Sequence, residues 1–141
     1  MDVAIIDYGS GNLHSASNAF EHALAGLGCG SVSLTSDPDH LANFSHIVLP
    51  GVGSFADCKA GLLAVNGMIE ALQEHVINRG KPFLGICVGM QLMADFGEEH
   101  GNTSGFGWIG GKVVAITPTE KNLKVPHIGW NDLRMNDKAH P

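Results

Sequence analysis

Basic residues are scarce in this chain and nowhere gathered: eight Lys and Arg lie scattered among fourteen Asp and Glu, leaving a formal net charge of −6 over 141 residues. Following the phosphates of a duplex takes a cluster of cations, so nucleic acid is not an expected partner. Cysteine is scarce too. Cys29, Cys58 and Cys87 form an odd, widely spaced set with no Cys-x-x-Cys pair and no metal-ligand spacing, which argues against a disulfide framework and against a metal centre. No metal and no cofactor are expected, and free thiols fit a reducing, cytoplasmic setting. Long apolar runs are also missing. No stretch approaches the roughly 20 residues that cross a bilayer, and the one apolar N-terminal run is bracketed by Asp2 and Asp7 with no basic segment ahead of it, unlike a signal peptide. A chain of this size buries about two thirds of its unfolded surface and is expected to form a single domain over residues 1–141.

What is present is an alternation of short apolar runs with helical periodicity. Residues 3–6 read as a strand ending in the glycine-rich loop Asp7-Tyr8-Gly9-Ser10-Gly11-Asn12. From 13 to 27 apolar residues recur at three- and four-residue steps, with Gly28 as C-cap. Residues 31–35 alternate as a second strand, Ser36-Asp37-Pro38 caps a short helical turn through Leu41, and 46–49 supply a third strand. This β-α-β-α-β order predicts an α/β fold: a mostly parallel central sheet with flanking helices, and functional groups in loops at the carboxyl ends of the strands. Further on, helices are expected over 56–64, 68–78 and 90–96, a polar loop over 97–102 and a tight turn within 106–111. Strands are expected over 82–86, 113–116 and 126–133.

The stretch Lys81-Pro-Phe-Leu-Gly-Ile-Cys-Val-Gly-Met-Gln91 organises the rest. Residues 82–86 are apolar without alternation, as in a parallel strand covered on both faces. Cys87 falls at the bend, with Gly85 and Gly89 placed where a larger residue would stop a helix from turning back on its own strand. Such a strand-turn-helix is a nucleophile elbow, and a helix N-terminus favours the reactive thiolate. The alternative is a buried strand with an inert thiol. The loop Pro50-Gly51-Val52-Gly53-Ser54-Phe55 sits at another strand's carboxyl end and offers bare backbone N–H groups. A tetrahedral intermediate at Cys87 would need two such donors, one from Val88 and one from this loop; the plainer reading is a tight β-α turn. By contrast, Gly9-Ser10-Gly11-Asn12 lacks both the dinucleotide fingerprint and the Lys-Ser/Thr of a P-loop. His127 and Trp130 fit either a partner surface or, for Trp130, the core, and base rates of Trp burial favour the core.

Together, the Asp7–Asn12 loop, Leu49-Pro-Gly-Val-Gly-Ser-Phe55, Gly85-Ile-Cys-Val-Gly-Met-Gln91 and Pro126-His-Ile-Gly-Trp-Asn131 resemble the class I glutamine amidotransferases. Within that family they resemble the glutaminase subunits of imidazole glycerol phosphate synthase, along nearly the whole chain. The resemblance implies a flavodoxin-like class I amidotransferase fold and Cys87 as the nucleophile that attacks glutamine and forms a glutamyl thioester. It implies oxyanion donors at Val52 and Val88, and a substrate site shaped by Gly51 and Gly53 with Gln91 and Glu99 holding L-glutamine. It further implies a heterodimer with a cyclase (β/α)8-barrel subunit, met by Asn12, His127 and Trp130, through which ammonia passes to make imidazole glycerol phosphate in histidine biosynthesis.

The match has a gap. In this family the catalytic His and Glu stand in a Pro-flanked His-x-Glu motif near the C-terminus. Here His140-Pro141 follows the polar stretch Asn136-Asp137-Lys138-Ala139, without the strand that should deliver a base. The expectation is therefore an N-terminal portion of such a subunit, with an incomplete sheet, an unprotected edge that invites association, and no activity of its own. Another Cys-elbow α/β hydrolase, or a non-catalytic module that only docks on a barrel, are the readings left open beside it.

Overall fold

In the computed structural model, which describes residues 1–120, 123–132 and 134, the apolar runs of the first half become parallel strands. These are β1 (Asp2–Ile6), β2 (Ser31–Thr35), β3 (His46–Gly51) and β4 (Phe83–Cys87), in the order β2-β1-β3-β4. Because the chain starts in the middle of a parallel sheet, each link is a crossover. The first is α1 (Leu13–Leu27), opened by the Asn12 side chain accepting from Ser15 N–H and closed by Gly28 in the left-handed conformation. A 3₁₀ turn (Pro38–Asn43) makes the second crossover. The third is made by α2 (Phe55–Ala64), α3 (Met68–Leu72) and a π turn (Gln73–Asn78).

Alternation along the strands sends side chains to two cores. Val3, Ile5 and Val48 pack under Leu24 of α1. Ala4, Ile6, Ile47 and Leu49 face the opposite way, onto Phe55, Leu62, Met68 and Leu72. The mixed α/β architecture with a mostly parallel sheet is the one the pattern predicts. Among the described residues no helix is long and apolar enough to cross a membrane.

Several elements differ from expectation. The expected strand over 82–86 is not covered on both faces. Among the described residues β4 is one of the sheet's two outer strands, with Leu84 50% and Ile86 37% exposed. The helix expected over 90–96 lasts one turn, α4 (Val88–Gln91), and Ala94–Gly97 is instead β5 of a second sheet. That sheet pairs β5 antiparallel with β6 (Thr103–Ser104) and parallel with β7 (Ile109–Val113). The cause is long-range. The Leu92 carbonyl accepts from Phe106 N–H, and the Met93 carbonyl from both Trp108 and Ile109, so main-chain bonds pull the segment out of helical register. The same pairing draws the last strand back to 109–113, into the span expected to hold only a turn, and away from 114–116. The expected helix over 68–78 changes to π geometry after Leu72. Residues 126–132 carry no strand; Leu133 and His140 lie outside the described residues. Trp130 is fully exposed, so its expected place in the core is overturned.

Candidate active site

The register of the sheet builds the site. β3 and β4 stay paired to their carboxyl ends, through Pro50↔Ile86 and Gly51↔Cys87, so the loop after β3 lies beside the bend after β4. At that bend Cys87 has φ 55° and ψ −116°, a backbone region that L side chains avoid and that costs about 1–3 kcal/mol when the surroundings enforce it. They do so here by close contact. A Cβ on Gly89 would run into the Leu49 carbonyl, and one on Gly85 would lie 2.5 Å from Met90 Cα. The helix thus doubles back on its own strand, and the Cys87 side chain stands exposed above the sheet end.

Gly51 is pressed between elbow and loop: a Cβ there would fall 2.7 Å from Gly89 N and 3.0 Å from both Val88 Cβ and Tyr8 Oη. Val88 opens α4, so its N–H lies outside the helix's own hydrogen-bond ladder. The Val52 N–H donates to Ser10 Oγ at 3.0 Å, and the same hydroxyl donates to Val52 O at 2.7 Å. In this arrangement the Val52 N–H is taken up by Ser10. Gly53 has φ 108° and open space around it. Behind the loop, Tyr8 Oη donates to Pro50 O at 2.7 Å, and the buried Cys58 Sγ lies 3.4 Å from Ser10 Oγ. Burial first, then the Cys58 thiol, hold the Tyr8 phenol well above its ordinary pKa.

Two of the four residues expected at the substrate share a cleft, and Gly51 and Gly53 do not line it. Gln91 and Glu99 line a cleft of about 230 Å³ together with Glu98 and Val113 to Ala115. Glu99 Oε2 also accepts from Phe55 N–H at 2.8 Å, at the start of α2 and directly after the glycine loop. A larger cavity, about 720 Å³, lies elsewhere: it runs along Tyr8 to His14, with Val52, Asp57 and Gly61. Asn12 lines it, whereas His127 and Trp130 sit in the exposed segment after β7, His127 Nε2 within 2.9 Å of Asn131 Nδ2.

The described histidines are dispersed: His14 and His22 on α1, His40 in the 3₁₀ turn, His46 at the far end of β3, His75 in the π turn, His100 and His127 in loops. Among the described residues none is hydrogen-bonded to Cys87. Sequence reasoning missed Tyr8, Ser10 and Cys58. The only trace they leave is their place in or near glycine-rich loops at strand ends.

A strained cysteine at a strand-helix elbow, on a parallel α/β sheet with a neighbouring glycine loop laid against it, defines the protein as one of the cysteine-elbow α/β class. Residues 4–140 match the glutamine amidotransferase class-I family, and the chain belongs to that family. It is 58% identical over 100% of its length to imidazole glycerol phosphate synthase subunit HisH of Bradyrhizobium diazoefficiens, covering 65% of that protein. It is 54% identical over 94% of its length to the subunit of the same name from Rhodopseudomonas palustris, covering 62%. With the Agrobacterium fabrum subunit it shares 56% identity over its whole length, covering 65%. The chain thus spans less than two thirds of the length of these curated relatives.

Proposed function

We propose that this chain is the nucleophile-bearing part of a glutaminase subunit of imidazole glycerol phosphate synthase, acting in the cytoplasm as one domain over residues 1–141. Cys87, as thiolate, attacks the side-chain carbonyl carbon of L-glutamine and gives a tetrahedral oxyanion. Collapse expels ammonia, which leaves with a proton, and a glutamyl thioester remains on Sγ; water then cleaves it to glutamate and regenerates the thiol. Val88 N–H is one oxyanion donor. Val52 N–H is the other once it exchanges Ser10 Oγ for the oxyanion, a rotation that the open space at Gly53 permits. Gly51 and Gly53 shape the loop, and Gln91 and Glu99 hold the substrate. Proton transfer needs a base, and among the described residues no histidine is hydrogen-bonded to Cys87. Ammonia passes to a cyclase (β/α)8-barrel subunit bound as a heterodimer, with Asn12, His127 and Trp130 on the docking face.

The observation that carries this reading is the enforced positive φ of Cys87 with Gly51 held against the elbow. The test is glutamate release by the native gene product mixed with the barrel subunit. Cys87→Ser abolishes release. Turnover in Cys87→Ser at the wild-type rate overturns the reading.

A further inference from the structure

Tyr8 takes no part in the steps above, yet it lies directly under the loop they depend on. Its residue surface is 6% exposed. The β1–β3 ladder ends at Ile5↔Val48. Past that point β1 parts from β3 while staying on β2 through Ile6↔Thr35, and the Pro50 carbonyl is met by Tyr8 Oη at 2.7 Å. On the other side β3 stays paired with β4 as far as Gly51↔Cys87. The Pro50–Gly51 peptide is thus clamped by the elbow strand on one flank and by a single phenol on the other. The ring has little room to slide, because a Cβ on Gly61 of α2 would lie 3.0 Å from Tyr8 Cδ2. With its pKa held high by burial and by Cys58, the hydroxyl remains a donor throughout the physiological range.

We propose that Tyr8 is a positioning residue for the glutaminase reaction: by holding the Pro50 carbonyl, its hydroxyl fixes the Gly51–Val52 backbone against the Cys87 elbow and so sets the geometry of the oxyanion hole. It contacts neither glutamine nor the reacting atoms. The inference rests on Cys87 being a glutaminase nucleophile. Its consequence is selective. Acyl transfer, which builds charge on an oxygen, depends on Tyr8; displacement of iodide from iodoacetamide by the same thiol builds none there and does not.

The experiment compares wild type with Tyr8→Phe in the native gene product assembled with its barrel subunit. Two rates are measured: Cys87-dependent hydrolysis of the γ-p-nitroanilide of L-glutamate, and alkylation of Cys87 by iodoacetamide. The expected result is kcat for the anilide down about tenfold, less than the loss from deleting an oxyanion donor outright, with KM and the alkylation rate unchanged. Should Tyr8→Phe fail to fold, Gly61→Ala, which keeps the hydroxyl but displaces the ring, must give the same split. Equal loss of both rates would assign Tyr8 a merely structural role and overturn the proposal, as would an unchanged kcat. Wild type that alkylates at Cys87 but shows no Cys87-dependent anilide hydrolysis would instead overturn the glutaminase reading, and the proposal with it.

Discussion

At Cys87, chemistry and strain share one residue. A φ of 55° with ψ −116° is tolerated because the two flanking close approaches leave the chain no other path, and the cost appears when the side chain is cut back. Cys87→Ala keeps a Cβ at positive φ. Cys87→Gly removes it, relieving about 1–3 kcal/mol of strain against roughly 0.5–1 kcal/mol of added chain entropy in the unfolded state. Thermal or urea unfolding should therefore find the Gly variant more stable than the Ala variant by about 1 kcal/mol; equal stabilities would mean that the elbow is unstrained. Cys87 itself was legible in the sequence, since Gly-x-Cys-x-Gly after an apolar run states the steric requirement of the bend outright. The contacts of Tyr8, Ser10 and Cys58 were not. The bonds from Tyr8 to Pro50 and from Ser10 to Val52 each span 42 residues and exist only because β1 and β3 lie side by side in one register.

Among the elements, the first half was readable and the second was not, for one physical reason. β1 to β4 and α1 are fixed by local pattern and caps, while β5, β6 and β7 are short strands made by bonds between distant segments. A short, mostly apolar stretch such as 90–96, interrupted by Gln91 and Asp95, suits a helix or a strand, and only its partners decide. The π turn is a further element that no periodicity announces. It buries His75, whose Nδ1 has no hydrogen-bond partner among the described residues. Burial first, then the Lys81 and Arg79 charges, hold its pKa below the ordinary value, against a smaller opposing pull from Glu74. The unfolded chain therefore binds the proton more readily than the folded one. His75 weakens the fold progressively as pH falls below about 6.5, the unperturbed histidine value, and has no such effect above it. In His75→Leu the decline of stability between about pH 7 and pH 5 should be shallower than in wild type. Urea titrations across that range check it, and equal slopes would remove His75 from the account.

Over the whole molecule, the described residues include a parallel sheet with Cys87 at the end of an outer strand, and several bare apolar side chains among residues 114–120 and 123–130. Sequence base rates placed Trp130 in a core; its full exposure agrees instead with the docking role proposed for it. Trp130→Ala should weaken binding to the barrel subunit by about 2 kcal/mol or more if the residue is a hot spot, with no loss of unfolding free energy in the isolated chain. Calorimetric titration measures the first and urea unfolding the second; unchanged affinity would remove Trp130 from the interface. The family assignment is secure along residues 4–140, so what most needs testing is whether the elbow does what its geometry offers. The most direct measurement is to quench the native gene product in acid during turnover of L-glutamine with its barrel subunit, and to determine the mass of the peptide containing Cys87. A glutamyl thioester on that peptide, absent in Cys87→Ser, is the predicted result. Glutamine consumed with Cys87 unmodified, or an adduct on Cys29 or Cys58 instead, would contradict it.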